Sequence, residues 1–209
     1  MDDGNAVVKK ALLEQVWPHM TERMKNKKLA RISPVLVGLM GSGKSSIGRR
    51  LAEYLDVPLL DLDEMIIERA GCSIPEIFGR LGEEAFRDME TATLGDALGR
   101  HAVIATGGGV VMRAENMALL KEHPPVIWLK ASPEFLAQRI DGDLNRPLIA
   151  AGDTLNKLKE LARVRYPLYE ECADFILPRG DMEKSEALAE IVAFLNAWQK
   201  RVGNPGRKD

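Results

Sequence analysis

The sequence predicts an α/β fold, a parallel sheet covered by helices on both faces. Three observations predict it. From residue 34 onward, short apolar runs alternate with stretches of helical spacing, the pattern of strand–helix–strand units. The chain has 209 residues, the length of one domain with appendages, and needs no staple to bury a core. Its 45% apolar and 29% charged residues fit an ordinary globule, and only 5% aromatics leaves the core to Leu, Ile, Val, Ala and Met.

The elements follow in order. Residues 1–33 read as an extension: a helix over 6–17 (Val8, Leu12, Leu13, Val16) closed by Pro18, then a basic linker with Arg23, Lys25, Lys27, Lys28 and Arg31. A single domain spans 34–202 and a short tail 203–209. Residues 35–38 form a buried strand, and 44–55 a helix with Ile47, Leu51 and Leu55 on one side. A second strand is expected over 57–60. Helical segments fill 64–98, with a capping box at Ser73-Ile-Pro-Glu76 and a longer helix over 83–98. Strand 102–105, helix 113–121 and strand 126–130 come next. Pro133, after Ser132, opens another helix at the position that tolerates proline. Residues 141–152 read as loop, and 153–166 as a helix ended by Pro167. Strand 174–177 and an amphipathic helix over 183–202 complete the domain.

Composition excludes several classes. Lys plus Arg is 29 and Asp plus Glu 31, a net charge of −2, so neither nucleic acid nor an anionic membrane is an expected partner. Cys72 and Cys172 have no second Cys or His at metal-ligand spacing, which argues against zinc and against a disulfide framework. A reducing cytoplasm is expected. No apolar run reaches the roughly 18 residues that span a bilayer, and Asp2 and Asp3 do not open a secretory leader.

Gly38-Leu-Met-Gly41-Ser42-Gly43-Lys44-Ser45 matches G-x-x-x-x-G-K-[ST] between an apolar strand and a helix. Glycines let successive N–H groups turn inward around a phosphate, and the helix directs its positive end at the same anion. Lys44 brings a point charge to the β- and γ-phosphates, and Ser45 a hydroxyl to Mg2+. The loop alone leaves three classes: small-molecule kinase, GTPase and motor ATPase. A GTPase needs N-K-x-D, but Asn156-Lys157-Leu158-Lys159 lacks the Asp. A motor ATPase carries four apolar residues before Asp-Glu, and Val57-Pro-Leu-Leu-Asp61 leads to Leu62-Asp63 instead. A compact kinase fits best.

Acceptor-side candidates lie after the later strands. Asp61 and Asp63, two residues apart, project to one side of the strand's extension. One carboxylate can reach Mg2+ through water and the other can take a hydroxyl proton. Asp63 equally suits a helix N-cap, and both readings stand. Arg87, between Glu83 and Glu90, reads by spacing as an exposed ion pair. The other reading is an Arg aimed at a substrate carboxylate. Gly107-Gly108-Gly109 allows a ligand to touch backbone. Arg146, in Asn145-Arg146-Pro147-Leu148, suits a lid over about 141–153 that neutralises charge on the moving phosphoryl group. Arg165 falls at the expected helix end, where a cation is favoured anyway.

Taken together, GLMGSGKSSIGRRLA, LLDLD, EEAFRDME, ATGGGVV, NRPLI and RVRYPLYEECAD, in that order, resemble shikimate kinase over roughly residues 34–180. The resemblance implies a nucleoside-monophosphate-kinase type of fold, with five parallel strands in the order 2-3-1-4-5. It implies ATP-dependent phosphorylation of the 3-hydroxyl of shikimate, with Mg2+. Gly41, Ser42, Gly43, Lys44, Ser45 and Ser46 would hold ATP, with Ser46 replacing a more usual Thr but keeping its hydroxyl. Ser45 would bind Mg2+ directly and Asp61 through water. Asp63 would bind and activate the acceptor hydroxyl, within a substrate-binding region of about 62–98. Arg87, Arg165 and the backbone of Gly108 would clamp shikimate, with Glu90 orienting from behind. Arg139 would stack on adenine, and Arg146 would be the lid arginine. ATP and shikimate are the expected partners, and a monomer the expected state. The rivals are a gluconate kinase-like enzyme and a catalytically silent nucleotide-binding module.

Overall fold

The computed structural model describes residues 32–140 and 153–202. The expected helix over 6–17, the basic linker, the loop 141–152 with Arg146, and the tail 203–209 lie outside them.

Five short strands, β1 (Val35–Val37), β2 (Leu59–Asp61), β3 (Val103–Ala105), β4 (Val126–Lys130) and β5 (Phe175–Pro178), form one sheet in the order β2-β3-β1-β4-β5. Every pairing is parallel, with Leu36 between Ala105 and Ile127. Successive strand residues point to opposite faces, so β1 serves two cores. Leu36, Val103, Ile127 and Leu129 pack under α1 (Lys44–Leu55) and the C-terminal helix, Lys184–Val202. Val35, Val37, Ile104 and Trp128 face the opposite layer. That layer holds α2 (Leu62–Ala70), α3 (Ile74–Leu98), α4 (Ala114–Glu122), α5 (Pro133–Ile140) and α6 (Thr154–Cys172). The C-terminal helix is α7. Apolar runs without polar alternation are what a sheet buried on both faces requires.

Two local outcomes, at β2 and at α6, differ from expectation. β2 starts at Leu59, not residue 57, because Val57 N–H closes the end of α1 on Ala52 O while Asp56 takes a left-handed conformation with φ 57°. Helix α3 follows expectation: Ser73 caps it with the expected capping box, and Gly82, with φ 85°, sets off the longer helix expected from residue 83. Helix α6 does not stop at Pro167 and runs to Cys172. Pro167 and Arg163, whose carbonyl loses its N–H partner, both lie on the exposed face, where water can solvate that carbonyl. Buried Leu158, Ala162, Arg165, Tyr169 and Cys172 keep the helix packed on both sides of the proline. No described helix is long and apolar enough to cross a membrane.

Candidate active site

The phosphate loop leaves β1 beside β4. A Cβ on Gly38 would stand 2.8 Å from Leu129 O, so only glycine fits against the neighbouring strand, and its φ of 141° agrees. Gly43 caps α1 in a left-handed conformation and has no side chain to serve the first N–H groups of the helix. Those donors and the helix dipole point into the loop, as a phosphate site requires. Lys44 is 9% exposed and curls back to donate from Nζ to Gly38 O at 2.8 Å and Leu39 O at 3.0 Å. The ammonium is thereby held over the loop. Ser42 is buried, Gly41 packs against Ile140, and Ser46 is half-buried in the first turn of α1.

Next to the loop, Ser45 Oγ donates to Asp61 Oδ2 at 2.6 Å. The other oxygen, Asp61 Oδ1, accepts from Asp63 N–H at 3.1 Å. The N-cap of α2 is therefore Asp61 and not Asp63, which sits in the first turn with its carboxylate released from capping. A hydroxyl and a carboxylate in contact are the hard oxygen donors that Mg2+ prefers. Among the described residues no cluster of three or more His, Cys, Asp or Glu forms a closed cage. Mg2+ in nucleotide sites takes one or two protein oxygens beside phosphates and water, so this pair fits it.

The acceptor side is organised around Gly107, Gly108 and Gly109, which follow β3. A Cβ on Gly107 would stand 2.8 Å from Asp63 Oδ1 and 2.9 Å from Glu90 Oε1. One on Gly109 would drive into the Arg87 guanidinium, 2.9 Å from Cζ. One on Gly108 would lie 3.4 Å from Met40 N in the phosphate loop and 3.6 Å from Arg165 Nη1. Three residues without side chains thus bring Asp63, Glu90, Arg87 and Arg165 together beside the phosphate loop. These chemical groups come from α2, α3 and α6.

Arg87 is not the exposed pair that its spacing suggested. Its Nη1 donates to buried Glu90 at 2.8 Å, while Nη2 reaches exposed Glu83 at 3.1 Å. Burial works against the Arg87 cation, but the two carboxylates outweigh it and hold the guanidinium charged. For Glu90, 1% exposed, burial raises the carboxyl above its ordinary range, and Arg87 opposes that rise. Arg165 is also relocated. It lies mid-helix and buried, not at a helix terminus, because α6 continues past Pro167. Burial lowers its pKa, and the nearby charge of Arg87 lowers it further. Two buried guanidinium groups that repel each other make a place for an anion.

Arg165 Nη1 donates to Gly108 O at 3.1 Å, and Tyr169 OH donates to the same oxygen at 2.5 Å. Sequence reasoning missed Tyr169, although its position four residues after Arg165 places both on one helical face. It also missed Asn116, fully buried on α4, whose Nδ2 holds Val110 O at 2.9 Å. Arg139 stands apart from this group, exposed on α5 with its guanidinium over the Phe135 ring. Arg179, just past β5, has its pKa lowered by burial and then by the charge of Arg139, which places Arg139 near the β5 end of the sheet.

A family model described as shikimate kinase matches residues 40–196. A shikimate kinase of Caulobacter vibrioides is 46% identical over 77% of this chain and 80% of its own. One of Cupriavidus pinatubonensis is 46% identical over 83% of this chain and 91% of its own. Among solved structures, a shikimate kinase from Acinetobacter baumannii in complex with shikimate matches with a TM-score of 0.77 and 37% identity, over 83% of this chain and 98% of its own. A gluconokinase from Sinorhizobium meliloti matches with a TM-score of 0.54 at 17% identity, a likeness of fold alone.

Proposed function

The chain belongs to the shikimate kinase family, and from that membership we propose how its residues transfer the γ-phosphoryl group of ATP to the 3-hydroxyl of shikimate. The N–H groups of residues 41–46 and the Lys44 ammonium hold the ATP phosphates. Ser45 would ligate Mg2+, with Asp61 reaching it through water, and Mg2+ bound there neutralises charge on the phosphates. Arg87 and Arg165 clamp the shikimate carboxylate, with the Gly108 backbone alongside. Glu90 fixes Arg87 from behind, at 2.8 Å. Asp63 accepts a hydrogen bond from the 3-hydroxyl and takes its proton as the oxygen attacks the γ-phosphorus. ADP leaves in line, and no covalent enzyme intermediate forms.

Arg139 stacks on adenine, and Arg146 in the lid neutralises charge on the transferring group; both roles rest on the resemblance of their motifs. A monomer is the proposed working unit. The free thiols of Cys72 and Cys172 support a reducing cytoplasm.

The observation that carries this reading is the convergence of Asp63, Arg87 and Arg165 on the glycine segment beside the phosphate loop. A neutral sugar has no use for two guanidinium groups, whereas a cyclic hydroxy-acid does. The test is ADP release with ATP, Mg2+ and one acceptor at a time. Shikimate should support turnover, and gluconate or no acceptor should not. Turnover on gluconate alone would reassign the acceptor, and acceptor-independent silence would support a non-catalytic module.

A further inference from the structure

Tyr169 is fully buried on α6, one helical turn beyond Arg165, so both side chains leave the helix on one face. They end on one atom. The Gly108 carbonyl accepts from Tyr169 OH at 2.5 Å and from Arg165 Nη1 at 3.1 Å. A carbonyl oxygen has two lone pairs, and these donors occupy both. The Tyr169 ring cannot swing aside, because Trp128 packs against it at 5.6 Å between centroids and Tyr166 at 6.4 Å.

The glycine segment needs such a support. Residues 107–109 carry no side chains, and a Cβ at 107 or 109 would collide with Asp63, Glu90 or Arg87. Backbone N–H groups of Val110 and Met112 hold the carbonyls of Gly107 and Gly109, and side chains from elsewhere hold that of Gly108. Thr106 Oγ1 anchors the start on Leu36 O at 3.0 Å, and Asn116 anchors the end at Val110 O. Tyr169 anchors the middle.

We propose that Tyr169 is a positioning residue for acceptor binding: its hydroxyl fixes the Gly108 carbonyl and, through that shared oxygen, the pose in which Arg165 meets the acceptor carboxylate. Burial raises the phenol above its ordinary value of 10.0, so it remains a donor at neutral and mildly alkaline pH. The proposal rests on the assignment of Arg165 to that carboxylate.

Tyr169→Phe keeps the ring and its packing and removes one oxygen. The expected result is a rise of about tenfold in the KM for shikimate, the size of one hydrogen bond, with kcat and the KM for ATP within about twofold. A merely structural role predicts no such split. An unchanged shikimate KM, or equal rises in both KM values, overturns the proposal. Should Tyr169→Phe not fold, 4-fluorophenylalanine at position 169 fills the hydroxyl's space without donating and should give the same split. Arg165→Lys, measured alongside, separates the two levels. If it leaves the shikimate KM unchanged, the carboxylate assignment itself fails. If it raises that KM while Tyr169→Phe does not, only the role of Tyr169 falls.

Discussion

Arg87 Nη1 lies 2.8 Å from Glu90 Oε2, three residues further along α3, and Glu90 is 1% exposed. Taking the cation away strands a buried carboxylate, which costs far more than the pair contributes. Arg87→Met should therefore lower the unfolding free energy by about 3–5 kcal/mol. Arg87→Met with Glu90→Leu should recover most of that loss, yet both variants should bind shikimate poorly. Urea unfolding and the shikimate KM, measured on each, separate folding from function. Equal stabilities for the single and double variants would contradict the pairing.

Asp63 sits in the first turn of α2, with Asp61 already serving as the cap. Asp63→Asn should leave the helix in place and lower kcat by about 10²–10⁴-fold, the range expected on loss of a general base. The dissociation constant for ATP should stay within about twofold. An undiminished kcat would remove Asp63 from the proposed chemistry.

Asp61 has two duties, one oxygen for Ser45 Oγ and one for Asp63 N–H. Asn also caps helices, so Asp61→Asn should spare stability while removing the negative charge near Mg2+. The Mg2+ concentration for half-maximal rate should rise by roughly tenfold, a loss of about 1.4 kcal/mol of ion binding. Asp61→Ala should add a stability loss of about 1 kcal/mol, visible in thermal unfolding. An Asp61→Asn enzyme with ordinary Mg2+ dependence would rule out the metal role.

Burial pushes the Cys172 thiol from 9.0 up to about 11. Above pH 9 the unfolded chain releases this proton while the folded chain keeps it. The folded state then binds more protons, so its stability falls as pH rises through 9 to 11, and the contribution is fully present below 9. The slope from one such group is at most about 1.4 kcal/mol per pH unit. Urea unfolding between pH 9 and 10 should show this decline, and Cys172→Ala should flatten it. A slope unchanged in Cys172→Ala would place the thiol in a more solvated setting than α6 gives it.

What the sequence made legible was local. The phosphate loop could be read because Gly38, Gly43, Lys44 and Ser45 all lie within one short segment. The capping box at Ser73 was legible for the same reason. The buried state of Arg87 was not, since charge spacing on one helix does not reveal that Gly109, from another element, closes over the guanidinium. That Asp61 and not Asp63 caps α2 was not legible either, since the Asp61 carboxylate is shared between Asp63 N–H and Ser45 Oγ, sixteen positions away along the chain. Pro167 misled the reading of α6, because tertiary packing of Arg165, Tyr169 and Cys172 outweighs one missing hydrogen bond on an exposed face. The resemblance to a family gave the roles of Arg87 and Arg165 that spacing could not.

The most direct test is a crystal structure of the chain with ADP and shikimate bound together. The carboxylate should lie within hydrogen-bond distance, about 2.7–3.2 Å, of both Arg87 and Arg165, with the 3-hydroxyl equally close to Asp63. Shikimate seated with its carboxylate away from both guanidinium groups, or its 3-hydroxyl away from Asp63, would contradict the account.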